Sequence, residues 1–266
     1  MPRPSKVARS TQRIFRDNVQ LGTLLAFVAG SINSVAFVHF GTYVSHVSGH
    51  ATRAAINYAE GDLTSAFLFF MEFVAFIFGA GCTAFLMKGF TAASNQVKYT
   101  KPIVLELALI LIYMMSAVLH DRYGFTLPFF SHLTFLLAIA MGMQNAMLRQ
   151  ASGTIVRTTH MTGVATDFGA ELGGALRAAY EAFWVRGLRL WDRLRRASAA
   201  FFERLAFSRF LFHGFILISF SSGAVLGTLS YLLYHHYALA VPAVILSLVG
   251  IREHLRKPVE LGRPKA

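Results

Sequence analysis

Two short segments of the chain carry side chains suited to holding a polar solute. The first runs Gly30-Ser31-Ile32-Asn33, then Gly41-Thr42-Tyr43-Val44, then Ser45-His46-Val47-Ser48-Gly49. The second runs Gly142-Met143-Gln144-Asn145, then Gly153-Thr154-Ile155-Val156, then Thr159-His160-Met161-Thr162-Gly163. Gly to Asn is 3 residues in both and Gly to the next Gly is 11 in both, with two extra residues before the second His. A hydroxyl followed by His-x-Ser/Thr-Gly reads as a helix start, because the hydroxyl can accept from orphan N–H groups and Gly permits close backbone approach. Such starts carry positive dipole ends and suit an anion or a polar neutral solute. Asn33, His46, Ser48, Gly49, Asn145, His160, Thr162 and Gly163 are therefore the candidate solute-binding residues. The plainer alternative is helix packing: small residues let helices approach, and Asn or His can serve as an interhelical hydrogen-bond donor.

Other chemistry is less well represented. His46 and His50 are spaced i, i+4, as on a metal-binding helix face, but no carboxylate completes a H-E-x-x-H pattern and Val164 stands where His50 would align. No metal or other cofactor is expected. Glu72, deep in an apolar stretch, is the candidate for proton or cation coupling, since intramembrane ionisable residues are expensive. Glu106 reads as an interfacial residue beside Lys101, and His213 as one beside Arg209. No nucleophile–base pair, phosphate loop or dinucleotide fingerprint is present, so an enzyme is not expected. The single Cys82 excludes a disulfide framework.

The elements that must position these residues are apolar and long. Apolar residues make up 55% of the chain and charged residues 14%, against about 25% charged in a soluble domain. Stretches near Leu21–Phe40, Leu63–Met87, Ile103–Leu119, Phe129–Leu148, Phe210–Tyr234 and Tyr237–Ile251 read as about six membrane spans, the third and sixth being short. With the N-terminus inside, 23 of the 25 Lys and Arg fall on the cytoplasmic side, and only Arg53 and Arg122 outside, as the positive-inside rule requires. The net charge of +12 thus has a topological origin, and nucleic-acid binding is not implied.

The expected fold is all-α: a basic segment (1–20), a membrane domain (21–251) and a basic tail (252–266). The domain comprises two three-span repeats, about 21–120 and 129–251. An odd number of spans inverts the second repeat, a design found in transporters with a midplane site. Broken or re-entrant segments, and convergence of the two motifs near the midplane, belong to this expectation. Residues 174–208 form an insertion in which Leu176, Tyr180, Phe183, Trp184, Gly187, Trp191 and Leu194 alternate with arginines. Leu176–Ser198 is expected to be an amphipathic helix on anionic lipid.

The G-x-x-N element, the following Gly and the His-x-Ser/Thr-Gly motif resemble the YoaK family of bacterial multi-pass membrane proteins, over roughly Leu21–Ile251. That family's first motif ends in Asn, where this chain has His50. The resemblance implies a bacterial cytoplasmic (inner) membrane location and brings no activity; the cation split is what puts both termini on the cytoplasmic side. The residues themselves point to a transporter or channel-like protein for a small polar or anionic solute. A non-transporting scaffold or assembly protein is the alternative, an intramembrane enzyme is the weakest reading, and homo-oligomerisation is left open.

Overall fold

A computed structural model describes residues 6–88, 99–124, 133–151, 161–185, 187–206 and 210–255. The helices are α1 (Lys6–Phe40), α2 (Val47–Ala59), α3 (Leu63–Lys88), α4 (Thr100–Tyr123), α5 (Thr134–Ala151), α6 (Met161–Phe183), α7 (Leu190–Ala206), α8 (Phe210–Tyr234) and α9 (Ala240–Leu255). No strand occurs among the described residues. The all-α class is therefore as expected.

Four stretches among the described residues are long and apolar enough to cross a bilayer: Val19–Phe40, Leu63–Met87, Thr100–Tyr123 and Phe210–Leu255. The last would be about 69 Å long as one straight helix, more than twice a hydrocarbon core. It is instead broken by a 3-10 segment, His235–Leu239, with His235 at φ 51°. The stretch therefore comprises two helices, α8 and α9. The expected span Phe129–Leu148 corresponds to α5, which is not among the four; residues 129–132 lie outside the described residues.

The chain divides into two compact units, one of residues 1–159 and 219–266 and the other of residues 160–218. In the first, α1 is an interior helix: 67% of its apolar window is buried, against 22% for α3. α5 is interior too, with Leu137, Ala138, Met141, Met143, Met147 and Leu148 fully buried. The outward face of α3 exposes Phe67, Phe70, Ile77, Phe78 and Phe85, as a helix facing hydrocarbon would.

Two backbone-on-backbone crossings hold this unit together. A methyl placed on Gly30 of α1 would strike the carbonyl of Phe220 on α8, and one on Gly223 would strike that of Phe27. Likewise a methyl on Gly142 of α5 would strike the carbonyl of Phe76 on α3, and one on Gly79 that of Ile139. Gly30 and Gly142 open the two matched motifs, and Gly79-Ala80 matches Gly223-Ala224. One contact geometry thus occurs twice, at the positions where the sequence repeats. Only glycine allows axes this close. Near the second crossing the Thr83 hydroxyl donates to the Met143 carbonyl (3.1 Å), and Gln144 Nε2 donates to the Leu25 carbonyl of α1 (2.5 Å).

α2 and α3 form an antiparallel hairpin. The turn at Gly61 has φ 83°, and the Ser65 N–H donates to Asp62 Oδ1 (3.0 Å), capping α3. Hydrogen bonding by the Ser65 side chain, and then by this N–H, holds the Asp62 carboxyl below its usual range. The register brings His50 against Glu72 and Arg53 over Phe69.

In the second unit, α6 and α7 pack together, and α6 is clasped to the start of α8. Phe168 stacks on Phe210 at 4.3 Å between ring centroids, and His213 Nδ1 lies 3.1 Å from Glu171 Oε2. His213 is therefore a partner of Glu171; Arg209 lies outside the described residues. The expected single helix Leu176–Ser198 is two helices. Gly187, at φ 83°, breaks it between Phe183 and Leu190, because that backbone conformation suits glycine and ends a helix.

Candidate functional site

The first motif folds into a loop and a helix start. Asn33 lies one turn beyond Gly30 on α1 and is buried. Its Nδ2 donates to Ser45 Oγ (2.7 Å), and the Ser45 N–H donates to Asn33 Oδ1 (3.1 Å). The amide thus pins the loop before α2 onto α1. The expected hydroxyl cap does not form, because Ser45 is engaged with Asn33. His46 occupies the N-cap position, and no side chain caps the helix. The leading N–H groups of α2 therefore lack the side-chain acceptor that usually satisfies one of them.

Gly49 makes room for His46: a Cβ there would lie 2.5 Å from His46 Nδ1. An open cavity of about 430 Å³ lies at this helix start, lined by Thr42, Tyr43, His46, Ser48, Gly49, His50, Thr52 and Arg53. Three of the expected binding residues, His46, Ser48 and Gly49, share it. A second cavity of about 200 Å³ is lined by Thr42, Arg53, Ser65, Phe69, Glu72 and Thr134.

The residues between the cavities are buried and ionisable. His50 Nδ1 lies 2.8 Å from Glu72 Oε2, with side chains 2% and 7% exposed. Neither of these atoms is aligned for a hydrogen bond, so the two groups are in close polar contact, and the pair is ionic only when His50 carries a proton. The Thr134 hydroxyl donates to Glu72 Oε1 (2.7 Å), which fixes the carboxylate from α5. His50 Nε2 has no hydrogen-bond partner. His46 and His50 share a helix face in sequence but diverge here: His46 is exposed over Gly49, and His50 is buried against Glu72 and Phe69. Among the described residues no group of three His, Cys, Asp or Glu could hold a metal ion.

The remaining candidates lie elsewhere. Asn145 is buried in α5. His160 lies outside the described residues, and Thr162 and Gly163 begin α6 in the second unit. Glu106 is fully buried and its carboxyl oxygens make no hydrogen bond among the described residues, so the expected pairing with Lys101 is not formed. His50, Arg53, Thr42 and Thr134 were not singled out as binding residues from sequence. The signal for Arg53 was its isolation among the cations. Thr134 gave no signal, since only the tertiary contact brings it to Glu72.

A further polar cluster lies where α1, α4 and α8 end. His39 Nδ1 is 2.6 Å from the Tyr231 hydroxyl, and His236 Nε2 is 3.2 Å from Asp121 Oδ2.

Fold and site together define a helical, membrane-like protein with a polar cavity at a helix start. Residues 21–251 match the family DUF1275, described as a protein of unknown function, and the chain belongs to it. YoaK-like proteins are members of the same family. No curated protein and no solved structure matches the chain.

Proposed function

We propose that this chain is a membrane transporter or channel-like protein for a small polar or anionic solute, without enzymatic activity. The observation that carries the reading is the cavity that runs from the uncapped start of α2 to buried His50, the partner of Glu72. Burying the Glu72 carboxylate costs several kcal/mol unless geometry and further hydrogen bonds compensate. Nε2 of His50 is left without a partner, which suits a transient occupant better than a purely structural role.

The proposed topology has six crossings in two inverted repeats, with both termini cytoplasmic in a bacterial inner membrane. The duplicated glycine crossings support the repeat. With the Gly61 turn at the outer surface, the 13 residues of α2 place its start about 20 Å deeper along the hairpin, as in a re-entrant half-helix. The first motif then faces a solute near mid-membrane. The second motif, with Asn145, His160, Thr162 and Gly163, is its proposed counterpart from the other side. The α6–α7 segment exposes Tyr180, Trp184, Trp191 and Phe202 among arginines, which supports contact with anionic lipid.

The test is flux. Protein reconstituted into vesicles should speed entry of at least one small polar or anionic solute. His50→Ala and Glu72→Ala should reduce that flux by more than they reduce the folded fraction. Vesicles no more permeable than protein-free controls, across neutral and anionic solutes, would defeat the transporter reading.

A further inference from the structure

We propose that the cavity at the start of α2 binds a small organic monocarboxylate, anchored by Arg53, and that His50 takes up one proton as it binds. The inference rests on the solute-site reading above and narrows it. The anchor is geometric. Arg53 lines both cavities, and its guanidinium lies 4.9 Å over the Phe69 ring. No described carboxylate lies within ion-pair distance of it. A guanidinium is a flat fork that matches a carboxylate with two parallel hydrogen bonds. The stacking ring holds the fork in place without neutralising it.

The helix start adds donors. α2 has no side-chain cap, and Ser48 and Gly49 of its first turn line the cavity. Unfilled N–H groups and the helix dipole both favour an anion there. A second feature points to a ligand independently. His50 is 2% exposed, lines the same cavity, and has no partner at Nε2.

Charge decides the valence. The groups facing His50 are Arg53 and His46 from the α2 side, Glu72 from α3, the Thr134 hydroxyl from α5 through Glu72, and the phenol of Tyr43 at the cavity wall. With His50 neutral, Arg53 and Glu72 cancel. Protonation of His50 leaves one net positive charge, which a monoanion neutralises. A dianion would leave an excess negative charge beside Glu72. The aromatic wall decides the rest of the ligand: Phe37 and Tyr43 stack at 4.3 Å and both line the cavity, giving an organic tail a surface that an inorganic oxyanion would not use.

The proton bookkeeping is simple. The carboxylate arrives ionised. The imidazole keeps its Nδ1 hydrogen toward Glu72 and gains a proton at Nε2 from bulk water. No other bond forms or breaks. Each ligand then raises the affinity for the other by the same factor.

The experiment is calorimetric titration of the full chain in detergent, near pH 7 where imidazole titrates, with sodium acetate and sodium lactate. Two buffers of different ionisation enthalpy count the protons taken up. The expected result is about one proton per anion bound. Arg53→Ala should weaken binding about tenfold or more, the value of one charge-assisted hydrogen bond, and Arg53→Lys should recover part of it. His50→Gln should bind more weakly with no proton uptake. Binding without proton uptake, uptake that persists in His50→Gln, or indifference to Arg53→Ala would each overturn the proposal. So would a folded protein that binds neither carboxylate. If vesicles still pass another solute in that last case, the transporter reading survives; if no solute passes, both fall.

Discussion

At the scale of single residues, three polar groups from three helices meet in an apolar interior. Glu72 accepts from Thr134 and faces His50. Removing different members should cost different amounts. Thr134→Val deletes one hydrogen bond to a carboxylate, worth about 1.5–3 kcal/mol. Glu72→Ala strands both partners, leaving two buried polar groups unpaired at about 1–3 kcal/mol each. Thermal unfolding in detergent should rank Glu72→Ala below Thr134→Val; equal melting temperatures would mean that His50 gains nothing from Glu72. Asn33→Ala leaves the Ser45 N–H without its acceptor, at about 1–3 kcal/mol. Amide exchange at Ser45 should accelerate in that variant while exchange in α5 stays slow. Glu72 was legible in sequence as a charge in an apolar run. Its partners were not, since 22 residues separate it from His50 and 62 from Thr134.

At the scale of elements, the packing turns on glycine. Gly30, Gly79, Gly142 and Gly223 each face a backbone carbonyl of the opposing helix, whereas Gly81 faces open space. Gly79→Ala should destabilise by about 1–3 kcal/mol, as overpacking does, and Gly81→Ala should be nearly silent or slightly stabilising. Chemical denaturation of the two variants decides this, and equal losses would refute the crossing. The apolar run placed the ends of α8 at Phe210 and Tyr234, because it starts and stops sharply. Helical periodicity, in contrast, ran α6 and α7 together. Their aromatic spacing continues through Gly187, and only the positive φ there separates them. α7 remains amphipathic on its own, with Leu190, Trp191, Leu194 and Phe202 exposed beside Arg195 and Arg196. A peptide of Leu190–Ala206 should gain helicity on anionic vesicles and lose binding at high salt, as electrostatic attraction is screened. Circular dichroism unchanged by vesicles would count against lipid contact.

At the scale of the whole molecule, the distribution of cations predicts orientation. Tyr123 ends α4 and is 75% exposed, and Ala266 ends the basic tail. After Cys82 is replaced by Ser, an impermeant maleimide added outside intact cells should label Tyr123→Cys and spare Ala266→Cys. The reverse pattern would overturn the topology.

Hydropathy determined by itself that the chain is helical and apolar in long stretches and where most of those stretches lie, and motif spacing showed that two segments share one pattern. These are local properties: the transfer free energy of a span depends on its own residues. Tertiary structure alone decided what the motif residues touch. Asn33 became a loop anchor through Ser45, and His50 became the partner of Glu72 through the register of the α2–α3 hairpin. A buried polar group must find partners within about 3 Å or pay its desolvation cost, and which groups come that close is set by helix register and close packing.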